Sequence, residues 1–480
     1  PLDVVLSGVA FERVTVVMPD DVEQVIDSFT LAAGFRGDQL ELSALELRLP
    51  DKGLSLSGSA GLRPTMPVAL TLQADGLLPA QATADGPRPP QRVAAQLSLD
   101  GTVEWQDAAI AAALDYRFAI RGAEGLVPEL PDRIAAGGQL SARQQGDELA
   151  IDTATLALDD ALLALRLRAT ISGTTTANPT LSAELDWEAL RWPLDTTTAP
   201  LFASDNGRIS VTGRASDYRL ALAASATGAE LPPSSWEGRA RGDTRGLVVE
   251  TLRGELLGGW IEASGPLAFD PQPAWDLRIE AGDLDPASFL PALSGPVEAA
   301  LGTRGRLDPE DGLSAGLRLD ALRATAAGFP VALAGDLQLD GEVLQVAGVS
   351  LRSGTAAFDA EGSLSAEHLD LDWTLALADA GAFLPGATGR IDGRGSLSGS
   401  PEAPRAVAAV KAASLGMDAL AVDSLALDLE AGLEADAPLM LRLAVAGVSE
   451  QGTALLDTLT VEADGSNADH RLAIAARASA

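Results

Sequence analysis

The sequence predicts an all-β protein: a long, repetitive antiparallel sheet that curves around an apolar concave interior and contains only short helical turns. Three observations predict this class, namely leucines that alternate with polar residues, glycines that recur inside strand-like segments, and an internal repeat. Together they favour a sheet bent into a gutter over a compact globule.

Alternation with a period of two residues is the dominant pattern. From 369 to 377, leucine or tryptophan occupies the odd positions, and aspartate, threonine or alanine the even ones. The segments 425–430 and 439–445 alternate in the same way, as does 40–49 apart from a slip at Ser43-Ala44. Alternation is typical of a half-buried strand, and the slip predicts a β-bulge or a bend.

Glycine recurs at the centre of several predicted strands, within a repeated V/L-x-L-x-G-x-L pattern. The glycines concerned are Gly58, Gly213, Gly265, Gly335 and Gly362. An isolated strand glycine forms a bulge or a sharp bend, or it ends one strand and begins a hairpin. Both interpretations stay open at any single position, but the recurrence indicates that a subset are bends.

Helical spacing is scarce. Residues 22–29 have it behind a possible cap at 19–21, whereas 29–35 alternates like a strand, so a short helix at most is predicted. Residues 285–290 predict one helical turn with Asp285 as its N-cap. Three dipeptides predict tight hairpins: Asn206-Gly207, Asp311-Gly312 and Asp340-Gly341.

A coarser repeat is marked by tryptophan. Trp187, Trp275 and Trp373 head segments that lie roughly ninety residues apart, and internal repetition indicates a stacked architecture. We expect one continuous repetitive β-groove that is a segment of a longer protein. Its approximate sub-repeats are 1–180, 181–274, 275–372 and 373–480.

The composition and charge of the chain argue against several classes of function. Of the 480 residues 46% are hydrophobic but only 4% aromatic, which predicts rows of aliphatic side chains. The formal charge of -34 disfavours binding to nucleic acid or to anionic membrane surfaces. The chain has no cysteine, and its two histidines, His368 and His470, are far apart in sequence. We therefore expect no metal, no cofactor and no enzymatic activity.

Residues 181–297 contain an ordered succession of motifs: 185–187 (LDW), 190–194 (LRWPL), 207–213 (GRISVTG), 257–259 (LGG), 265–267 (GPL), Trp275 and 284–286 (LDP). This succession resembles the periplasmic region of the TamB family, the inner-membrane-anchored subunits of the translocation and assembly module. The later segments 395–401 and 415–429 are similar to the strand repeats of that family.

The resemblance implies a member of the AsmA-like group of bridge-like lipid transfer proteins. Such a protein would lie in the periplasm of a Gram-negative bacterium, with a taco-shaped sheet whose inside is apolar. It would be anchored by an inner-membrane helix and would meet a TamA-like outer-membrane β-barrel partner, both through regions outside this segment. Phospholipid movement and outer-membrane protein assembly are the functions implied.

The leucine rows have two interpretations. The residues alone favour the dry core of a β-sandwich or solenoid, whereas the resemblance favours a groove for acyl chains. The tryptophans could instead brace the sheet at bends or repeat boundaries. The groove candidates are Leu333, Leu337, Leu339, Leu371, Leu375, Leu377, Leu425, Leu427, Leu429, Leu441 and Leu443.

We therefore expect a non-enzymatic conduit that shields phospholipid acyl chains between the inner and outer membranes. The alternative is a scaffold, or a chaperone-like module, that assists insertion of outer-membrane β-barrels or autotransporters by adding strands at exposed sheet edges. A secreted β-solenoid adhesin fits the repeats but not the leucine-rich, asparagine-poor composition.

Overall fold

The computed structural model divides the chain into two compact units, residues 1–244 and 245–480. Strands account for 81% of the residues. The structure describes residues 3–17, 23–78, 81–83, 86–88, 91–106, 109–125, 130–159, 163–176, 178–194, 199–291, 293–308, 312–326, 328–382 and 386–478.

In the first unit, fourteen described strands form one antiparallel sheet in which β5 pairs with β8 and the other neighbours are consecutive. The short strands β6 and β7 form a separate hairpin. The strands are β1 (Val4–Val17), β2 (Glu23–Arg36), β3 (Gln39–Leu49), β4 (Lys52–Gly61), β5 (Thr65–Leu78), β6 (Gln81–Thr83), β7 (Gly86–Arg88), β8 (Gln91–Gln106), β9 (Ala109–Arg121), β10 (Arg133–Gln145), β11 (Glu148–Leu158), β12 (Ala164–Ser172), β13 (Thr180–Trp192), β14 (Phe202–Arg214), β15 (Asp217–Ala226) and β16 (Ser234–Asp243).

In the second unit, fifteen described strands pair antiparallel in chain order. They are β17 (Gly246–Leu256), β18 (Gly259–Ala268), β19 (Ala274–Leu284), β20 (Leu293–Asp308), β21 (Gly312–Ala326), β22 (Phe329–Asp340), β23 (Val343–Ser353), β24 (Ala356–Leu364), β25 (Leu369–Leu377), β26 (Ala387–Ser400), β27 (Ala403–Met417), β28 (Leu420–Gly432), β29 (Pro438–Glu450), β30 (Thr453–Ser466) and β31 (His470–Ala478).

Each sheet is curved. Each is also open, because the first and last described strands of a unit do not pair with each other. The predicted all-β class and curved antiparallel sheet are confirmed. Within the described ranges, no helix is long and apolar enough to cross a bilayer.

Helix is confined to single 3-10 turns in the described residues, at Ala123–Gly125, Pro286–Ser288 and Ala380–Ala382. The predicted turn at 285–290 is confirmed, since the backbone N–H of Ala287 donates to the Asp285 carboxylate at 3.2 Å. The short helix predicted for 22–29 is wrong from Glu23 onward, where β2 begins. Pairing with β1 gives this segment backbone partners that an isolated helical turn lacks. Its proposed cap at 19–21 and Val22 lie outside the described residues.

The strand glycines are parts of strands, not hairpin turns. Four of them lie opposite the last regularly paired residue before a bulge in the preceding strand. In that bulge, two residues of the preceding strand face one residue of the strand that contains the glycine. These pairs are Gly58 with Leu42, Gly265 with Val249, Gly335 with Leu319, and Gly362 with Val346. The slip predicted at Ser43-Ala44 is the first of these bulges. Gly213 differs, as it lies one residue from the end of β14.

The backbone requires glycine at several of these positions, and Gly265 and Gly362 are two examples. Gly265 has φ 137° and Gly362 has φ 145°, a region that side chains rarely adopt. A Cβ at Gly265 would overlap the carbonyl oxygen of Asp276, and one at Gly362 that of Asp370. Bulge and glycine together let adjacent strands stay paired while the sheet bends.

The hairpin predictions have mixed outcomes. Asp340-Gly341 is confirmed, because Asp340 ends β22 and pairs with Val343 across a two-residue turn. The turn predicted at Asn206-Gly207 is wrong, since both residues lie inside β14, opposite Glu188 and Trp187. Asp311 lies outside the described residues.

Candidate functional site: an open apolar face

Residues that face one another on successive strands form rows across a sheet, with their side chains on one face. In the second unit one such row crosses all fifteen described strands without a polar or charged member. We call it the long apolar row. Its members are Gly254, Ile261, Ala281, Ala299, Leu322, Leu333, Leu351, Phe358, Leu375, Gly393, Val410, Leu427, Leu443, Val461 and Ile474.

The first unit contains a corresponding row across its fourteen-stranded sheet, again built only from apolar residues and glycine. It consists of Val4, Phe35, Leu40, Ala60, Val68, Gly101, Leu114, Leu140, Ala154, Leu167, Leu185, Ile209, Leu222 and Gly238.

The eleven leucines singled out in the sequence lie on one face of the second sheet. Four are members of the long apolar row: Leu333, Leu375, Leu427 and Leu443. Each of the other seven lies two, four or six residues from a row member on the same strand. Because side chains alternate between faces, even spacing places all eleven together.

These leucines are half-buried, and the described strands of their unit all belong to one sheet. Among the described residues the buried apolar side chains are mostly alanines, and the largest side chain that is fully buried is Ser204. In β25 the leucines and Trp373 are half-buried, whereas Asp370, Asp372, Thr374 and Ala376 are exposed. In this strand the apolar face is thus the more enclosed one, yet it remains open to solvent.

The opposite face is polar and is crossed by ion pairs between strands. Arg318 Nε lies 2.9 Å from Asp336 Oδ1, and Arg208 Nε lies 2.6 Å from Asp186 Oδ1. The hydrogen bond to Asp186, followed by the charges of Asp186 and Glu184, raises the pKa of the Arg208 guanidinium. Pairs this exposed add little stability, so their main effect is to keep this face charged and hydrated.

A polar row runs one residue away from the long apolar row. It contains alanines and polar or charged residues only, and the charges alternate in sign from β28 to β30. Its members from β22 to β31 are Ala334, Ser350, Asp359, Thr374, Arg394, Ala409, Asp428, Arg442, Glu462 and Ala473.

Several members of the apolar face were not among the leucines singled out. Gly393 and Val410 lie in segments rich in glycine, alanine and charge, where leucine alternation is absent. The row in the first unit was missed as well. The sequence pattern that could have revealed this row is the alternation at 181–187, where apolar residues occupy every second position: Leu181, Ala183, Leu185 and Trp187. Strand register, which no local pattern contains, joins these residues into one surface.

An open antiparallel sheet with one continuous apolar face and one charged face, repeated over many strands, defines the class of repetitive β-groove proteins. The comparison with protein families agrees with this class. The family described as "TamB, N-terminal domain" matches residues 129–480, and the chain belongs to that family. The predicted relationship is therefore confirmed, and it implies a bacterial envelope protein of a transport and assembly module.

Proposed function

We propose that this chain is a periplasmic conduit in which phospholipid acyl chains lie against the apolar face while headgroups stay in water. The observation that carries the proposal is the long apolar row, which has no polar member across fifteen strands. Each CH₂ group kept out of water contributes about 0.8 kcal/mol, so a single charged residue in the row would be a substantial barrier.

The length of the row supports a conduit over a pocket. Strands lie about 4.8 Å apart, so fifteen strands extend the row over roughly 65 Å. The acyl chains of one leaflet reach only about 15 Å, half the hydrocarbon core of a bilayer. A contiguous apolar surface of this extent is unusual on a protein that binds nothing.

Family membership supports the remaining parts of the proposal. The conduit would work in the envelope between an inner-membrane anchor and an outer-membrane β-barrel partner of the TamA type. The charged face, part of a chain with formal charge -34, would keep the conduit soluble and away from anionic headgroups.

Photo-crosslinking in cells tests the proposal. A crosslinking amino acid is placed at Leu333, Leu375 or Leu427, which all belong to the long apolar row. The matched controls are their neighbours Ala334, Thr374 and Asp428 in the polar row. We expect phospholipid adducts at the three leucine positions and none at the controls.

Two other outcomes would contradict the conduit. Equal lipid capture at leucine and control positions would mean that the apolar face has no special role. Capture of unfolded outer-membrane polypeptide without lipid would favour the alternative, a scaffold that assists insertion of β-barrel proteins or autotransporters.

A further inference from the structure

Three tryptophans repeat the same arrangement on the apolar faces. Each lies directly opposite a glycine on the next strand, and that glycine lies opposite an alanine on the strand after it. We call these arrangements tryptophan steps. The first unit has the step Trp187–Gly207–Ala224; the second has Trp275–Gly305–Ala315 and Trp373–Gly395–Ala408.

The indole ring lies across the glycine in all three steps. A Cβ placed on Gly395 would lie 2.7 Å from Cζ2 of Trp373, and the same ring atom is the nearest one at Gly207 and Gly305. The three rings therefore share one orientation toward the following strand. A residue larger than glycine would push the ring off the sheet.

In two of the three steps the indole N–H donates a hydrogen bond to a side-chain hydroxyl. Trp187 Nε1 donates to Ser204 Oγ at 2.8 Å, and Trp275 Nε1 donates to Thr303 Oγ1 at 3.1 Å. Trp373 instead stacks with Phe358, with ring centroids 6.4 Å apart. In every step the indole is half-buried, which leaves aromatic surface open on the apolar face.

The steps are also shallow. Leucines elsewhere stand up from the sheet, whereas glycine and alanine on the next two strands add at most a methyl group above the backbone. A ring lying over a bare strand gives a flat, apolar patch. This shape accommodates a methylene chain lying along the sheet, and an indole supplies a large contact area with few rotamers to restrict.

We propose that Trp187, Trp275 and Trp373 are acyl-chain subsites, at which the hydrocarbon chain of a bound lipid lies against the indole ring. This inference rests on the proposed function and deepens it, because it names the positions that contact the guest. It also gives the repeated tryptophans a role beyond bracing the sheet.

Trp260 provides a matched control within the second unit. It also lies opposite a glycine, Gly282, whose Cβ would lie 2.9 Å from the indole Nε1. Its neighbour Ile261 belongs to the long apolar row, so Trp260 is on the polar face. The Arg253 guanidinium lies 4.8 Å from the Trp260 ring centroid, as expected for a ring beside charged groups.

Fluorescence quenching by lipid tests the subsites. The chain has seven tryptophans, and two variants each keep one, Trp373 or Trp260, with phenylalanine at the other six positions. Each is mixed with vesicles of phosphatidylcholine brominated along its acyl chains, and with unbrominated vesicles as reference. We expect brominated lipid to remove most of the Trp373 emission and to leave that of Trp260 unchanged.

Lipid capture at Leu375 separates failure of the subsites from failure of the conduit. Adducts at Leu375 without quenching of Trp373, or equal quenching of both tryptophans, would overturn the subsites and leave the conduit standing. Absence of both adducts and quenching would overturn the conduit and the subsites together.

A second measurement covers the case in which the six replacements prevent folding. The unaltered chain is labelled with 5-fluorotryptophan, and its resonances are assigned with Trp373→Phe and Trp260→Phe. Lipid carrying a spin label on its acyl chain should broaden the Trp373 resonance and not that of Trp260. Equal broadening, or none at Trp373 when Leu375 captures lipid, would contradict the subsites.

Discussion

At the scale of single residues, glycine serves two purposes in these sheets. Gly362 occupies a backbone conformation that other residues rarely adopt, next to a bulge. Gly207 is needed for a different reason, since the Trp187 ring lies over it. Sequence patterns identified the first group through the repeated strand motif. The second group depends on a partner residue in another strand, which explains why Asn206-Gly207 was misread as a turn.

Replacing Gly362 with alanine should destabilise the second unit. The new Cβ would overlap the Asp370 carbonyl oxygen at a φ of 145°, and strain of this kind costs roughly 1–3 kcal/mol. The control is Gly302→Ala, because the nearest atom to a Cβ there is the Leu277 oxygen at 4.0 Å. Urea unfolding should show a lower midpoint for Gly362→Ala only. Equal midpoints for the two variants would contradict the steric account.

Tyr116 should titrate above its ordinary value. Burial raises its pKa above 10.0, and its hydroxyl donates to the Thr155 carbonyl at 2.5 Å. The unfolded chain ionises first, so this residue makes folding less favourable as the pH rises above 10.0. In Tyr116→Phe, absorbance titration should lose a component whose midpoint lies above pH 10.0. A titration curve of unchanged midpoint in that variant would contradict the assignment.

At the scale of the strand, bulges let the sheet bend without exchanging its faces. In β21, Asp320 and Ala321 together face Ala334 of β22, while Leu319 and Leu322 on either side both remain on the apolar face. Alternation alone would place one of them on the opposite face. Sequence reasoning found the bulge at Ser43-Ala44 from its slip in the leucine pattern. The bulge in β23 was not found, because Ala347 and Gly348 interrupt no leucine series.

Two single deletions in β21 should differ in their effect on folding of the second unit. Deleting Asp320 removes the extra residue of the bulge, so both halves of the strand keep their faces and the unit should still fold. Deleting Arg318, which lies in regular pairing, moves Leu317 to the polar face and should destabilise the unit strongly. Limited proteolysis and urea unfolding compare the two variants. Equal loss of structure would contradict the described register.

We propose that Trp187, Trp275 and Trp373 begin successive repeats, with boundaries near 181, 275 and 373. The recurrence of the tryptophan steps supports this division, because each combines the same residue types on three neighbouring strands.

At the scale of the whole molecule, side-chain chemistry is divided between two faces in each unit. Leucine alternation predicted that division and the all-β class, and the recurrent strand glycines predicted the curvature of the sheet. It could not predict that the apolar row continues through β26 and β27, where Gly393 and Val410 replace leucine. Continuity depends on register, and register is set by bulges and turns along the whole chain. A conduit requires that continuity, whereas a collection of separate pockets does not.

The measurement that tests this continuity most directly is a charge placed in the row between two crosslinkers. Leu375→Asp is combined with crosslinkers at Leu333 and Leu427, and Thr374→Asp places the same charge one residue away on the polar face. If lipid moves along the row, Leu375→Asp should abolish lipid capture at one crosslinker while Thr374→Asp leaves both unchanged. Undiminished capture at both crosslinkers in a folded Leu375→Asp protein would contradict a continuous lipid path.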